Sequence, residues 1–247
     1  MAMNKSVIKA INILELISKN NEATLSEISA QLDLPPASVS DILKALLQKQ
    51  MIEIADKRAK TYRISINSFL IGNSYLANAS VIEIAMPFVN DLSKQTGNTV
   101  FLGKPIDGQI IYLYKCEPSN TLISTCQIGS RANLTTTALG KVAMAFDDEL
   151  AAEALKKPLP AKTAASITDA DLLKKELVQV KNQGYALDMF EADERVICVG
   201  FPIFSRSGAV EHCISISGAA RSDEDIRKDI ELGTACAEEI SKRLGYV

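Results

Sequence analysis

Between positions 24 and 65, apolar and polar residues alternate in a pattern that predicts two short helices and a hairpin. Thr24-Leu25-Ser26-Glu27 is a capping-box sequence, in which the threonine hydroxyl and the glutamate each satisfy a backbone N–H of the first helical turn. We therefore expect a helix that begins near Leu25 and buries Leu25, Ile28 and Leu32. It ends at Asp33-Leu34-Pro35, because the residue before a proline is pushed out of helical geometry.

A second amphipathic helix is predicted to follow directly. Pro36 suits its first position, and apolar residues recur from Val39 to Leu47 at the spacing of one buried helical face. The opposite face carries mostly short polar side chains, which would let the helix approach base edges in a DNA major groove. The candidate DNA-binding residues on this helix are Ala37, Ser38, Ser40, Asp41 and Lys44.

A hairpin with a basic tip is predicted behind the second helix. Ile52 and Ile54 face Tyr62 and Ile64 with a period of two, and a positive tip suits contact with phosphate or with the minor groove. Helices and hairpin in this order predict a winged helix-turn-helix, a fold that reads DNA. The candidate DNA-binding residues of the tip are Lys57, Arg58 and Lys60.

Two short amphipathic helices alone do not establish DNA binding, because they also occur in all-helical domains. The hairpin directly behind them favours DNA binding. Asp41 is an observation against DNA binding, because an exposed carboxylate on the second helix would repel phosphate. The alternative is that it accepts a hydrogen bond from a cytosine amino group. It leaves open a module that has lost its DNA affinity and only mediates assembly.

Charge is distributed unevenly along the 247 residues, whose net charge is −3. Residues 1–66 contain nine Lys and Arg against seven Asp and Glu, so they contribute +2 and the remainder contributes −5. This asymmetry indicates an N-terminal region that meets DNA and an acidic region that stays away from it.

Composition narrows the remaining classes. Apolar residues make up 47% of the chain, but no apolar run approaches the roughly 18 residues of a membrane span, and the start resembles no signal peptide. We therefore expect a cytoplasmic protein without a membrane partner. The five cysteines form no Cys-x-x-Cys pair and His212 is the only histidine, so we expect no metal site and no cofactor.

Three segments are predicted: a DNA-binding domain over residues 1–66, a linker helix over 67–80 and an effector-binding domain over 81–247. An amphipathic helix around Val7–Ile17 would pack behind the DNA-reading pair. Apolar residues cover more of the linker helix than a lone surface helix needs, which favours packing against a second subunit. A core helix of a single domain explains that pattern equally well.

After position 81, short apolar runs alternate with turns and with helical patterns. Such an order indicates an α+β fold with a mainly antiparallel sheet, which could hold a small molecule against one sheet face. The predicted strands lie near 99–103, 109–116, 122–127, 185–188, 196–205 and 209–217, and the predicted helices near 81–95, 136–146, 148–156, 169–183 and 222–244.

Over nearly its whole length the chain resembles the IclR family of bacterial transcriptional regulators. The likeness is carried by the winged helix-turn-helix, by Gly129–Lys141 (GSRANLTTTALGK) and by the stretch from Gly184 through Cys198 to Gly218. It implies an N-terminal domain that dimerises on double-stranded operator DNA and a GAF-like α/β domain that binds a small effector, often an organic or aromatic acid. The function we expect is therefore a homodimeric or homotetrameric repressor controlled by such an effector.

The resemblance also implies an effector pocket. Its Thr-Ala-Leu-Gly-Lys segment opens a helix, whose free N–H groups and positive dipole end would hold a carboxylate. Plainer roles are open for single residues: Ser215 and Ser217 as small residues under a helix, Cys198 as a packing thiol, Asp188 as a turn or cap residue, and Arg131 as the partner of an acid elsewhere. The implied pocket residues are Arg131, Ala138, Leu139, Asp188, Val196, Cys198, Ser215 and Ser217.

Departures from the family pattern bear on the effector and on a competing function. Met189-Phe190 follows Asp188 where adjacent acids are common, and the run Thr135-Thr136-Thr137 lacks a histidine that is common there. The first change indicates an effector less polar than a two-carbon acid, and the second removes a possible polar contact near the pocket entrance. The competing function is an enzyme with Cys198 or a serine as nucleophile and His212 as base, since Cys198 and His212 fall on neighbouring strands.

Overall fold

The computed structural model describes residues 4–78, 80–118 and 126–246. Contacts divide the chain into two compact units, Met1–Asn78 and Ala79–Val247. The helix that the sequence sets apart as a linker falls in the first unit by this division. The first unit contains, in chain order, α1 (Lys5–Asn20), β1 (Ala23–Thr24), α2 (Leu25–Leu32), α3 (Pro36–Gln48), β2 (Ile52–Asp56), β3 (Thr61–Ile64) and α4 (Ile66–Asn78).

The start and end of α2 follow from side chains that the sequence shows. Thr24 Oγ1 accepts the backbone N–H of Glu27 at 3.3 Å, and the Glu27 carboxylate accepts the backbone N–H of Thr24 at 2.7 Å, so both halves of the capping box are formed. Asp33, with φ 51°, ends the helix in the left-handed region. Pro36 is the first residue of α3. The predicted helix-turn-helix is confirmed.

A small apolar core fixes the first three helices of this unit against its sheet. Ile13 and Ile17 of α1, Ile28 of α2, and Val39 and Leu43 of α3 are each at most 1% exposed. Because one face of each helix is buried in this core, the opposite face of α3 is left toward solvent.

The hairpin of β2 and β3 has the predicted register, with Ile52 opposite Ile64 and Ile54 opposite Tyr62. Strand β1 pairs with β3 on its other side and completes a three-stranded antiparallel sheet. The sequence pattern does not predict β1, because a strand of two residues is too short to show a period.

The second unit is built on one six-stranded sheet of order β6-β5-β4-β9-β8-β7, in which every pairing is antiparallel. The predicted α+β fold with a mainly antiparallel sheet is thereby confirmed. The elements of this unit are α5 (Ser80–Thr96), β4 (Thr99–Ile106), β5 (Gln109–Cys116), β6 (Arg131–Asn133), α6 (Ala138–Ala145), α7 (Asp148–Leu155), α8 (Ala170–Gln183), β7 (Ala186–Met189), β8 (Val196–Phe204), β9 (Val210–Ala219) and α9 (Asp223–Arg243).

Helices cover both faces of this sheet. A Cβ added to Gly200 on β8 would lie 2.7 Å from the backbone of Ala138 on α6, whereas the ring of the next residue, Phe201, lies against Gly233 on α9. Adjacent strand residues point to opposite faces, so α6 and α9 pack on opposite sides of the sheet. Helix α5 packs beside α9, and α8 packs beside α6.

Three details differ from the sequence prediction. Of the strand predicted at 122–127, residues 122–125 lie outside the described residues, and Cys126 and Gln127 are not in a strand. Strand β6 was not predicted. Helix α6 begins at Ala138 and not at Thr136, because the hydroxyl of Thr137 accepts the Gly140 N–H and so caps the helix.

Across the described ranges, none of the helices combines the length and the apolar composition that crossing a membrane would need.

Candidate functional site

The candidate DNA-binding residues of α3 lie on the face that the apolar core leaves open. Ala37, Asp41 and Lys44 are exposed, and Ser38 and Ser40 are half-buried. Short side chains at these positions keep the helix surface narrow enough to enter a major groove. The arrangement agrees with the predicted reading face, and contact with DNA stays a prediction.

The acidic residue on this face is paired within its own helix. Lys44 Nζ lies 3.2 Å from Asp41 Oδ1, and both side chains are more than 70% exposed. The pair reduces the repulsion that Asp41 alone would exert on phosphate. It also leaves both groups in water, where such a pair exchanges readily for contacts with another partner.

The wing tip presents its three cations to solvent. Asp56 at the end of β2 accepts the backbone N–H groups of Arg58 at 2.6 Å and Ala59 at 3.0 Å, which folds the tip and lowers the pKa of Asp56. Lys57, Arg58 and Lys60 are all exposed. The tip therefore combines a defined backbone with solvent-exposed positive side chains, which suits contact with a phosphate backbone.

In the second unit, the start of α6 is fixed by hydrogen bonds of the preceding loop. Asn133 Oδ1 accepts the backbone N–H groups of Thr135 at 2.8 Å and Thr136 at 3.2 Å, and the Thr137 hydroxyl donates to the Asn133 carbonyl at 2.6 Å. The first N–H groups of a helix lack partners within it. Ala138 and Leu139, the first two residues of α6, line a cavity of about 290 Å³, which we call the α6 cavity.

Glycines allow α6 to pack this closely. A Cβ on Gly140 would lie 2.1 Å from the carbonyl oxygen of Leu134, and one on Gly200 would lie 2.7 Å from the carbonyl oxygen of Ala138. A larger residue at 200 would push the N-terminus of α6 away from strand β8, and one at 140 would collide with the loop before the helix. The glycine of the Thr-Ala-Leu-Gly-Lys segment thus lets the first turn of α6 lie against the loop that precedes it.

All eight residues that the resemblance implies as pocket residues line the α6 cavity. Strand register explains part of this convergence, because Ser217 on β9 is the direct partner of Cys198 on β8 and of Thr99 on β4. The Cys198 thiol donates to the Ser217 hydroxyl at 3.3 Å. The lining residues among the implied set are Arg131, Ala138, Leu139, Asp188, Val196, Cys198, Ser215 and Ser217.

Asp188 both lines the cavity and shapes its wall. Its Oδ1 accepts the backbone N–H groups of Glu191 at 2.7 Å and Ala192 at 3.3 Å, so the side chain turns the chain after β7. The residue is 1% exposed, and burial raises the pKa of its carboxyl to about 6. A carboxyl of this kind can accept a hydrogen bond from a ligand hydroxyl, or donate one when it is protonated.

A buried ion pair lies behind this wall. Lys141 on α6 is 1% exposed, and its Nζ lies 2.6 Å from Glu191 Oε1 and 3.2 Å from Glu176 Oε1. Among the described residues, Glu191 Oε2 is buried without a hydrogen-bond partner. Burial raises the pKa of Glu191, while Lys141 acts to lower it. The pair ties the turn after Asp188 to α6.

A loop between α7 and α8 holds the same turn from outside. The Thr163 hydroxyl donates to the Phe190 carbonyl at 2.7 Å, and the Ser166 hydroxyl donates to the Glu191 carbonyl at 2.8 Å. Phe190 has φ 67°, a left-handed conformation that a bulky residue adopts only when its surroundings impose it. Side chains on three sides therefore fix this part of the cavity wall.

Sequence reasoning missed about half of the cavity lining. Thr99 could have been found, because it lies on the strand face that pairs with Ser217. Lys162 could not, because it lies in an irregular loop that carries no period; its ammonium group has no carboxylate within ion-pair distance in the described part of the chain. The missed lining residues are Thr99, Phe101, Tyr112, Cys126, Ala132, Thr137, Lys162, Ala192, Asp193, Arg195 and Gly218.

The geometry contradicts the enzyme that uses Cys198 and His212. Cys198 pairs with Ser217, whereas His212 pairs with Ile203, so the two lie about 17 Å apart along the sheet at about 3.4 Å per residue. They also point to opposite faces, because 212 and 217 differ by an odd number. Burial raises the pKa of Cys198 to about 12 and lowers that of His212 to about 4. At neutral pH the Cys198 thiol is therefore not ionised, and His212 is too far away to take its proton.

Metal-ligand side chains are not clustered either: within the described ranges, no three His, Cys, Asp or Glu side chains converge as a cation site would need.

The winged helix-turn-helix of the first unit and the α6 cavity of the second define the class of DNA-binding transcriptional regulators. A family model described as "IclR helix-turn-helix domain" matches residues 6–54, and one described as "Bacterial transcriptional regulator IclR C-terminal" matches residues 73–242. The chain belongs to the IclR family. It is a transcriptional regulator and not an enzyme.

Individual relatives agree with this assignment. The transcriptional repressor AllR of Salmonella paratyphi A is 28% identical over 96% of this chain and 89% of its own length. The crystal structure of the Thermotoga maritima IclR matches with a TM-score of 0.78 and 31% identity, over 98% of this chain and 99% of the other. An IclR homologue from Microbacterium hydrocarbonoxydans, crystallised with 4-hydroxybenzoate, matches with a TM-score of 0.87 and 17% identity, over 97% and 99%.

Proposed function

We propose that this regulator is a repressor that releases its operator when a small organic or aromatic acid binds in the α6 cavity. The observation that carries the proposal is the convergence of all eight implied pocket residues, drawn from distant positions, on one cavity of about 290 Å³. A cavity of about 150 Å³ is enough to hold benzene. The space therefore suits one ring with its substituents.

The lining suits an aromatic acid chemically. The rings of Phe101 and Tyr112 lie 4.8 Å apart and offer an apolar wall. The start of α6 and the ammonium group of Lys162 would receive the carboxylate, and Asp188 would accept from a hydroxyl at the other end. The 4-hydroxybenzoate complex of a structural relative supports this class of ligand.

For DNA, the proposed contacts are the open face of α3 and the basic tip of the wing. The α3 residues would meet base edges, and Lys57, Arg58 and Lys60 would meet phosphate. The name of AllR as a repressor supports the repressing role. A bacterial protein that binds an operator works in the cytoplasm, which is the location we propose.

A homodimer or homotetramer is the proposed assembly, with α4 contributing to the contact. Ile66, Phe69 and Leu70 on α4 are 66%, 57% and 57% exposed. Adjacent apolar side chains at this exposure are typical of a surface that a partner covers. A second copy would also place two winged helices on one operator.

A thermal-shift screen of the full chain with benzoate, 4-hydroxybenzoate and small keto acids tests the ligand. A ligand at about 100 times its Kd adds roughly 2.7 kcal/mol to the free energy of unfolding, which is a clear rise in Tm. Selection from random duplexes then yields the operator, and the stabilising acid should release it. Failure of every acid would refute the ligand class, and selection that enriches no sequence would favour the assembly module.

A further inference from the structure

A second cavity lies in the same unit, and it shares no lining residue with the α6 cavity. Its volume is about 680 Å³, more than twice that of the α6 cavity. It lies between the C-terminal ends of α6 and α8, strand β8 and the last turns of α9, and we call it the α9 cavity. None of the residues proposed above to bind the effector or DNA lines this cavity.

Aromatic rings form its wall. The Phe204 ring meets Phe146 edge-on at 5.4 Å and stacks on Tyr246 at 4.8 Å. Phe201 is fully buried, and a Cβ on Gly233 would lie 2.2 Å from its ring, so this ring is held firmly against α9. The rings are thus fixed against protein on one side and border open space on the other.

The floor offers a ligand little hydrogen bonding. The Ser241 hydroxyl accepts the Phe204 N–H at 3.0 Å and donates to the Ala237 carbonyl at 2.7 Å, so it is already satisfied. Ala237 is 3% exposed. Because the floor is buried and its polar group is occupied, the part of a ligand that enters must be apolar.

The rim, in contrast, is charged. Lys242 is exposed on the last turn of α9, and no carboxylate lies within ion-pair distance of its Nζ in the part of the chain that the structure describes. Its neighbour Arg243 is paired with Glu239 at 3.0 Å. Glu238, one turn earlier on the rim, disfavours a second negative charge on a ligand. The rim therefore selects a single carboxylate.

We propose that the α9 cavity is a second small-molecule site, which takes an aryl-alkyl monocarboxylate with its ring against Phe204 and Phe146 and its carboxylate at Lys242. A concave site with a buried floor admits an inserted molecule, whereas a docked protein would need a broad and flatter face. The site is independent of the acid proposed for the α6 cavity.

A single-tryptophan reporter tests this directly, because the chain contains no tryptophan. In full-length Tyr246→Trp, 4-phenylbutyrate should change the tryptophan emission saturably, since the new indole would stand in the cavity wall. Adding Lys242→Met should weaken binding about threefold, the scale of an exposed ion pair. Adding Lys228→Met, on the same helix but away from the cavity, should leave the Kd unchanged.

Two further variants locate the bound probe. Ala237→Leu fills the floor and should abolish the emission change, whereas Ser217→Leu narrows only the α6 cavity and should leave it intact. If Ala237→Leu does not fold, by circular dichroism, the Lys242 and Lys228 pair decides alone. The proposal is overturned by the absence of a saturable change, by equal Kd values for those two variants, or by emission that follows protein and not probe concentration, which would indicate a second copy in the cavity.

Discussion

The open face of α3 and the wall of the α6 cavity each carry a charged pair, but one pair is exposed to water and the other is buried. The side chains of Lys44 and Asp41 are 73% and 78% exposed, whereas those of Lys141 and Glu191 are 1% and 6% exposed. Water screens the first pair, so its removal changes little in the fold. The second pair has given up its hydration, so either charge without the other is unfavourable. Substitutions should therefore act on DNA binding in the first region and on stability in the second.

The largest expected effect is that of Lys141→Met. The substitution leaves the Glu191 carboxylate buried and unpaired, which costs about 3 to 5 kcal/mol of the free energy of unfolding. Urea denaturation at pH 7.5 measures it. The deficit should shrink at acid pH, because burial already raises the pKa of Glu191 and the loss of Lys141 raises it further, so protonation removes the unpaired charge.

The matched control is Lys156→Met, which removes an exposed pair with Glu153 on the surface of the same unit. It should change the free energy of unfolding by less than about 1 kcal/mol. Equal losses in the two variants would contradict the contrast between the regions. So would a Lys141→Met deficit that is independent of pH.

The same contrast explains what the sequence predicts well. The first unit is specified by local signals: the capping box at Thr24, the proline at 36 and the two-residue period of the hairpin each act within a few positions. The short strand β1 is not predicted, because a strand of two residues shows no period. Exposure of the reading face follows from the apolar stripe of α3 alone.

The cavity wall is specified by contacts between distant positions, which periodicity does not reveal. Lys141 reads as an ordinary polar residue in a helix, and only folding places it against Glu191 and Glu176. Lys162 lies in a loop, whose path depends on the Thr163 and Ser166 hydroxyls. The resemblance supplied the eight implied residues because a family pattern carries spatial information that a single sequence lacks.

The next effect concerns Asp188 and pH. Its folded pKa of about 6 lies above the ordinary 3.8, so its stabilising contribution is present below about 3.8 and is lost as pH rises through 6. Asp188→Asn keeps the acceptor for the Glu191 N–H but does not titrate. Between pH 4 and pH 7.5, the difference in unfolding free energy should therefore move by about 2.4 kcal/mol in favour of the variant.

Asp169→Asn is the control for this titration, because Asp169 caps α8 and its pKa is lowered by the backbone N–H groups of Leu172 and Asp171. The sign of its pH dependence should be opposite, with wild type gaining on the variant as pH rises. A difference between wild type and Asp188→Asn that stays flat with pH would show that this carboxyl is not held in a desolvated wall.

On the exposed side, Lys57→Ala with Arg58→Ala should weaken DNA binding at all sequences. The slope of log K against log salt should fall by about 1.8, because each phosphate that a side chain no longer neutralises removes roughly 0.9 from it. The free energy of unfolding should not change. Lys174→Ala with Lys175→Ala, on the exposed surface of α8, removes the same charge; it should leave the salt slope unchanged and, by opening the exposed pair of Lys174 with Asp171, change the free energy of unfolding by less than about 1 kcal/mol. An unchanged salt slope in the wing variant would refute the wing assignment.

The smallest expected effect is that of Lys162→Met. Lys162 combines features of both regions, because it lines the α6 cavity but its own side chain is exposed. Its backbone N–H, and not its ammonium group, holds the loop through Ser166 at 3.0 Å, so Lys162→Met should leave the wall in place. Benzoate affinity, by calorimetry, should then fall about fivefold, the upper scale for an exposed ion pair. Neutral benzyl alcohol should bind as before, and so should benzoate to Lys157→Met, whose side chain is exposed away from the cavity. If Lys162→Met weakened both ligands equally, the lysine would shape the cavity and would not pair with the carboxylate. Its role would then be structural, like that of the buried pair in the cavity wall.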